Sequence, residues 1–241
     1  MKKEGKSTGS KYTGISYVLA IVWISSMALG GFFLPVFVDT LPYFKVKAIQ
    51  VEGNTTIPTY VFSQAVGELK NNWLFINEGR LLEVLNTLTG NSVEDVRIDR
   101  VFHKEGVFLK LHIKERKPFL TVFEGEKTVF FDDKGVPFFS KYLPGKKPYI
   151  YTRSVKLVKD NFSVLKNLVE VCENHLPLRD IYLSDVSTFV YTTDNTKILL
   201  PPLEQIDQDS LKRLERIYNI SMKAKEIDLT TQGMAIIKGG Q

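Results

Sequence analysis

The residues whose types could do chemistry are few: His103, His112 and His175, the single Cys172, the adjacent acids Asp132-Asp133, and the pair Glu115-Arg116. A histidine works as a base or a metal ligand when a carboxylate or a second ligand stands within reach. None of the three has such a residue at ligand spacing. His112 falls on the polar positions of an alternating stretch, His103 in a turn and His175 beyond a helical stretch, so all three read as surface residues. Asp132 and Asp133 could hold a metal ion, but in Asp132-Asp-Lys-Gly135 they suit a hairpin turn better. Glu115-Arg116 reads as an ion pair closing a strand. Cys172 lies on the apolar side of a helical stretch and reads as a small core residue; one cysteine excludes an intrachain disulfide. There is no phosphate-binding Gly-x-x-x-x-Gly-Lys loop and no Cys-x-x-Cys. The expectation is a protein without a catalytic constellation: not an enzyme, with no metal and no cofactor.

The elements that position these residues begin with the stretch from Ile15 to Val38. No charged residue lies between Lys11 and Asp39. As a helix rising about 1.5 Å per residue it reaches about 36 Å, enough for a hydrocarbon layer about 30 Å thick. Ala28-Leu29-Gly30 resembles a signal-peptide cleavage site, but the apolar run continues through Phe32-Phe33-Leu34 and Val36-Phe37-Val38, which favours an uncleaved anchor. Residues 1–14 carry four lysines against Glu4, +3 of the chain's +5. A basic flank stays in the cytoplasm, so the expectation is a single-pass type II protein with a cytoplasmic amino terminus and its bulk outside. The +2 left for residues 15–241 does not suit nucleic-acid binding.

After a short break at residues 39–42, residues 44–117 read as a small α/β unit. Val46–Glu52 is a strand ending in the turn pair Gly53-Asn54. Pro58 suits the start of a helix with Phe62, Ala65, Val66 and Leu69 on one face. Asn77 suits the cap of a second helix, with Leu81, Leu85 and Leu88 inward. A strand over 96–102 follows, then Val107, Leu109, Leu111 and Ile113 alternate with Phe108, Lys110, His112 and Lys114 as in a half-buried strand. Residues 118–238 have another rhythm: strands over 119–123, 128–131 and 136–139, a Pro-rich loop, a helix through Leu165, Leu168, Val169 and Cys172, a meander over 181–200, and a helix begun by Asp207 or Asp209. Closing strands over 226–230 and 234–238 flank Thr231-Gln232-Gly233. The fold class is α+β: one transmembrane helix, a β-α-α-β-β unit, then a mixed β-sheet domain with two helices.

Three stretches together resemble the FtsQ/DivIB family of bacterial cell-division proteins. Val46-Lys-Ala-Ile-Gln-Val-Glu-Gly53-Asn54, shortly after a single span, resembles the opening strand of a POTRA domain, whose order is β-α-α-β-β. Leu111-His-Ile-Lys-Glu115-Arg116-Lys-Pro118 and Phe131-Asp132-Asp133-Lys-Gly135-Val-Pro-Phe138 resemble the family's Glu-Arg-x-Pro strand end and Asp-x-x-Gly hairpin. Ile227-Asp228-Leu229-Thr230, then Gly233 to Lys238, is similar to its closing strand and hairpin. Thr230 departs from a common Arg and Thr231 from a common aromatic.

The resemblance implies a cytoplasmic tail (1–14), a transmembrane helix (15–38), a POTRA domain (44–117), a β-domain of FtsQ/DivIB type (118–238) and a short tail (239–241). It implies a non-catalytic scaffold of the divisome in the cytoplasmic membrane at the division septum. Expected partners are FtsB/DivIC-type and FtsL-type bitopic coiled-coil proteins, other division proteins through the POTRA domain, and the membrane itself. The FtsB-type partner adds a strand to the sheet edge in this family, which carried over here assigns Thr230, Thr231, Gly233, Met234 and Ile236. Two other classes fit less well. A POTRA-bearing protein of polypeptide transport or outer-membrane assembly would be expected to carry a barrel region. A cell-wall enzyme would need a cleft with perturbed acids.

Overall fold

The computed structural model describes residues 11–221 and 224–239. Residues 1–10 of the basic tail, residues 240–241 and the side chain of His175 lie outside the described residues. The first element, α1 (Lys11–Thr40), is apolar on every side, and its segment Ile15–Val38 is long and apolar enough to cross a membrane. Its large side chains, from Ile15 to Phe37, are exposed. Leu41 N–H donates to Val38 O, and a 3-10 turn at Pro42–Phe44 leads directly into the first sheet.

The first sheet unit runs β1 (Val46–Glu52), α2 (Thr59–Glu68), α3 (Glu78–Thr89), β2 (Val93–His103) and β3 (Gly106–Glu115), with strand order β1-β3-β2. The central β3 pairs parallel with β1 and antiparallel with β2. The alternation along β3 turns Val107, Leu109, Leu111 and Ile113 onto α2 and α3, where they meet Phe62, Ala65, Val66, Leu81 and Leu85 in one core. Asn77 Oδ1 accepts from Arg80 N–H at 2.8 Å, the cap that starts α3. Gly53, at φ +83°, turns the chain after β1 where any Cβ would collide with the carbonyl of Ile113.

Parallel pairing fixes a polarity. Val46 lies beside Val107, so α1, the start of β1 and the β2–β3 turn share one end of the unit. Glu115, Val93 and Gly53 lie at the other end, about 30 Å away along a strand of this length.

The second sheet has nine strands in the order β12-β11-β10-β9-β8-β7-β4-β5-β6. Their bounds are β4 (Leu120–Glu124), β5 (Lys127–Phe131), β6 (Pro137–Phe138), β7 (Tyr149–Thr152), β8 (Leu178–Leu183), β9 (Thr188–Thr192), β10 (Lys197–Leu200), β11 (Glu226–Asp228) and β12 (Ile236–Lys238). The helices are α4 (Val155–Asp160), α5 (Phe162–His175) and α6 (Gln208–Ile220). Val158 of α4, Leu165, Leu168, Val169 and Cys172 of α5, and Leu211, Leu214 and Tyr218 of α6 close a second core over Val122, Ile150, Ile181, Val190 and Ile198. The opposite face carries a cross-strand aromatic row in which Tyr151 stacks on Phe123 and on Tyr182.

Two elements differ from the sequence reading. β7 and α4 lie where a Pro-rich loop and its continuation are expected, and β7 pairs parallel with both β4 and β8 inside the sheet. The closing strands are shorter than 226–230 and 234–238. Asp228 Oδ1 accepts Thr230 N–H at 2.9 Å and Thr230 Oγ1–H at 2.7 Å, an Asx turn that ends β11 two residues early.

Candidate functional site: the free edge of the large sheet

A nine-stranded open sheet has two edges, and they are treated differently here. The edge strand β6 is docked on the first unit. Phe139 N–H donates to Gly90 O at 2.7 Å, Asn91 Nδ2 donates to Pro137 O at 3.0 Å, and Ser92 Oγ donates to Phe139 O at 2.6 Å. At the other edge, no strand among the described residues pairs with the outer side of β12.

The geometry of β12 follows from its neighbour. Leu229 N–H donates to Leu199 O, and Lys197 N–H donates to Lys225 O, so odd-numbered residues of β11 turn toward β10. Glu226 and Asp228 therefore turn toward β12, opposite Lys238 and Ile236. By alternation, the backbone N–H and C=O of Ile237 point outward. Met234 is 59 %, Ile236 47 % and Ile237 50 % exposed, while Ala235 packs on the core. Glu226 and Lys238 form an ion pair across the two strands at 2.7 Å, which holds the Glu226 carboxyl below its usual range.

Of the five residues assigned by resemblance, Ile236 lies on the edge strand and Thr230, Thr231, Gly233 and Met234 lie in its connection. That connection is tied to α6. Arg213 Nη2 donates to Leu229 O at 2.6 Å and Nη1 to Thr231 O at 3.1 Å, both at the strand-to-turn junction. Asp207 Oδ1 caps α6 by accepting Ser210 N–H at 2.7 Å, and the Ser210 hydroxyl together with this N–H holds its carboxyl below the usual range. A cleft of about 410 Å³ between α6 and the connection is lined by Asp207, Ser210, Arg213, Thr230 and Gly233. Sequence reading missed Ile237 and Arg213. Arg213 looks like an ordinary solvated helix residue until the turn is folded against it.

The chemistry-bearing residues are distributed elsewhere. Glu115 and Arg116 do not pair with each other, which corrects the expectation of a local ion pair. Consecutive strand residues point to opposite faces. The Glu115 carboxylate accepts the N–H groups of Thr55, Thr56 and Ile57 and both threonine hydroxyls at 2.7–3.1 Å. Burial opposes its ionisation, but the Ile57 N–H and the threonine donors outweigh it and hold the carboxyl below its usual range. Arg116 instead reaches Asp132 Oδ2 at 2.7 Å, and Asp132 Oδ1 takes the N–H groups of Lys134 and Val136. His112 lies between Asp99 at 3.1 Å and Glu52 at 3.4 Å, carboxylates that strand register brings to it across the sheet. His103 packs edge-on against Phe108. Cys172 is fully buried, and burial pushes its thiol up to about 12.

Two serine strings, Gly5-Lys-Ser7-Thr-Gly9 and Ser163-Val-Leu-Lys166, match the spacing of nucleophile motifs. Ser7 lies outside the described residues. Lys166 Nζ donates to the Asp133 carbonyl at 3.1 Å and lies over the Phe119 ring.

No family model matches the chain. An uncharacterized protein of Aquifex aeolicus (strain VF5) is 24 % identical over 226 residues, which span 92 % of this chain and 99 % of that protein.

Proposed function

We propose that this protein is a membrane-anchored, non-catalytic scaffold of the bacterial divisome of FtsQ/DivIB type. In this reading α1 crosses the cytoplasmic membrane once with the amino terminus inside. Residues 44–117 form a POTRA domain that recruits division proteins, and residues 118–238 form the partner-binding β-domain. The FtsB/DivIC-type partner, with its FtsL-type companion, adds a strand to the outer side of β12.

The observation that carries the reading is the asymmetry of the large sheet. One edge is closed by Gly90–Ser92, and the other offers the outward N–H and C=O of Ile237 at the end of the chain. Unpaired backbone groups on an edge are a template for another strand, and exposed Ile236 and Ile237 supply apolar contacts to either face. The outer edge of β2 is protected by contrast. Ile98 N–H is taken by Glu78 Oε1, and Arg100 Nη2 donates to Ile76 O.

The carboxylates of one cleft are held by structural contacts, which suits a scaffold. This cleft, about 700 Å³, lies at the junction of the two units and includes Glu94, Glu115 and Asp132. Lys134 and Lys114 hold the Glu94 carboxyl below its usual range, as donors hold Glu115. Paired anions of this kind organise structure; a general acid needs the opposite shift.

The test is imaging of an amino-terminal fluorescent fusion in dividing cells, with depletion of the native protein. Mid-cell bands and filamentous cells on depletion are expected. Uniform envelope signal with normal division contradicts the reading.

A further inference from the structure

The end of the first unit nearest α1 carries a cluster of aromatic residues in which Tyr43 and Phe102 are exposed and Phe44 and Trp73 are half-buried, Trp73 packing on the first core. Phe44 stacks on Trp73, with ring centroids 5.9 Å apart, and Phe102 meets Trp73 edge-on at 5.1 Å. Tyr43 is 57 % and Phe102 55 % exposed, and Leu74, next to Trp73 in the chain, is exposed too. These side chains come from three separate segments. Parallel pairing of β1 with β3 gathers two of them at one end. The third is drawn in by Val46 N–H donating to Asn71 O at 2.7 Å and Trp73 N–H to Phe44 O at 3.1 Å. Lys45, Lys47, Lys70 and Lys104 each lie within three residues of Phe44, Trp73 or Phe102 in the chain, against Glu68 and Glu105 nearby.

The tether sets the position of this patch. Phe44 lies six residues beyond Val38: residues 39–40 end the helix, Leu41 is extended, and Pro42–Phe44 form the 3-10 turn. At about 1.5 Å per helical residue, about 3.3 Å for extended Leu41 and about 2 Å per 3-10 residue, Phe44 lies roughly 12 Å at most beyond the end of the apolar segment. A headgroup layer accounts for about 5–7 Å on each side of the hydrocarbon. Aromatic rings and lysines are the side chains that settle at that level. The rings bury an apolar body, and the lysines keep their charge at the phosphates.

We propose that the Tyr43–Phe44–Trp73–Phe102 end of the first unit rests in the headgroup layer of the bilayer that α1 crosses, with anionic phospholipid favoured by these lysines. The unit then stands on the membrane as a seated column whose far end carries the large sheet. This inference rests on the reading of α1 as a membrane span.

The chain's two tryptophans, Trp23 in α1 and Trp73 in the patch, let one experiment separate the two claims. The full chain is reconstituted as Trp73→Phe, leaving Trp23, and as Trp23→Phe, leaving Trp73. The bilayers are phosphatidylcholine with or without phosphatidylglycerol, brominated on the acyl chain either near the headgroup or near the methyl end. Bromine quenches only at contact range. Trp23 should lose emission to deep bromine. Trp73 should lose it to shallow bromine, more so with phosphatidylglycerol, and Phe102→Glu in the same chain should restore it. Quenching of Trp23 with Trp73 bright in every bilayer leaves the span intact and overturns the docked patch. Shielding of Trp73 from aqueous iodide without any quenching by bromine overturns it equally, since a protein surface then covers the ring. Loss of quenching at both positions overturns span and patch together.

Discussion

Arg116 of the first unit and Asp132 of the second face each other with Nη1 and Oδ2 2.7 Å apart, and both side chains are nearly closed off from water. Arg116 Nε also donates to Asn91 O at 2.9 Å, and Asp132 Oδ1 holds the β5–β6 turn. The two units are joined by a buried ion pair, supported on each side by backbone. Removing one partner of such a pair strands the other's charge. Arg116→Ala should lower unfolding stability by about 3 kcal/mol in denaturant melts, and Arg116→Lys should recover only part, since lysine cannot reach Asn91 O and Asp132 together.

The Glu115 clamp predicts an acid-sensitive component of stability. Its folded carboxyl is depressed, so its contribution is complete above the unfolded value of about 4.3 and is lost as pH falls through the lower folded value. Glu115→Gln should flatten the acid limb of the stability curve below about pH 4.5 and cost about 1–3 kcal/mol at neutral pH. Chemical denaturation at stepped pH reads both. An unchanged acid limb contradicts the clamp.

Gly90 lies at φ +66°, and an added Cβ would sit 2.8 Å from Phe139 Cβ, at the seam where β6 docks. Gly90→Ala should destabilise by about 2 kcal/mol or more, from left-handed strain and the steric wedge together. Hydrogen exchange should rise at Phe139, whose N–H is given to Gly90 O.

Cys172 should be silent to thiol reagents in the folded protein, because burial keeps the thiol protonated and covered. Labelling should follow opening of the second core, so its rate should rise with denaturant in step with loss of the native signal.

Much of the fold was legible because local pattern and tertiary demand agree. The alternation from Val107 to Ile113, the Asn77 and Asp207 caps and the Gly53 turn are each specified by a few neighbouring residues. β7 was not legible: Tyr149–Thr152 is four residues long and follows a Lys- and Pro-rich loop, and only its two parallel neighbours reveal it as a central strand. Glu115-Arg116 was misread because adjacency in sequence suggested contact, whereas a strand sends neighbours to opposite sides. In the candidate site, the hairpin itself was legible but its register was not. That depends on the Asp228 turn and on Arg213, which comes from a helix before it in the chain.

Arg213 yields a prediction of its own. Arg213→Ala should free the Leu229 and Thr231 carbonyls, raise hydrogen exchange over residues 229–238 and weaken partner capture, with little change in the first unit's stability. A rise confined to α6 contradicts its role in holding the edge.

The outward backbone of Ile237 is the most direct point of test. Ile237→Pro removes the N–H offered to an added strand while leaving in place Ile236 and Lys238, the neighbours whose backbone faces β11, and Ile237→Thr changes the side chain but keeps that N–H. The measurement is capture of the FtsB/DivIC-type protein of the same cell by the purified full chain, with thermal melts of each variant alongside. Strand addition predicts that Ile237→Pro abolishes capture while its melt stays within a few degrees of the parent's, and that Ile237→Thr retains capture. Parent-level capture by a folded Ile237→Pro protein would contradict it.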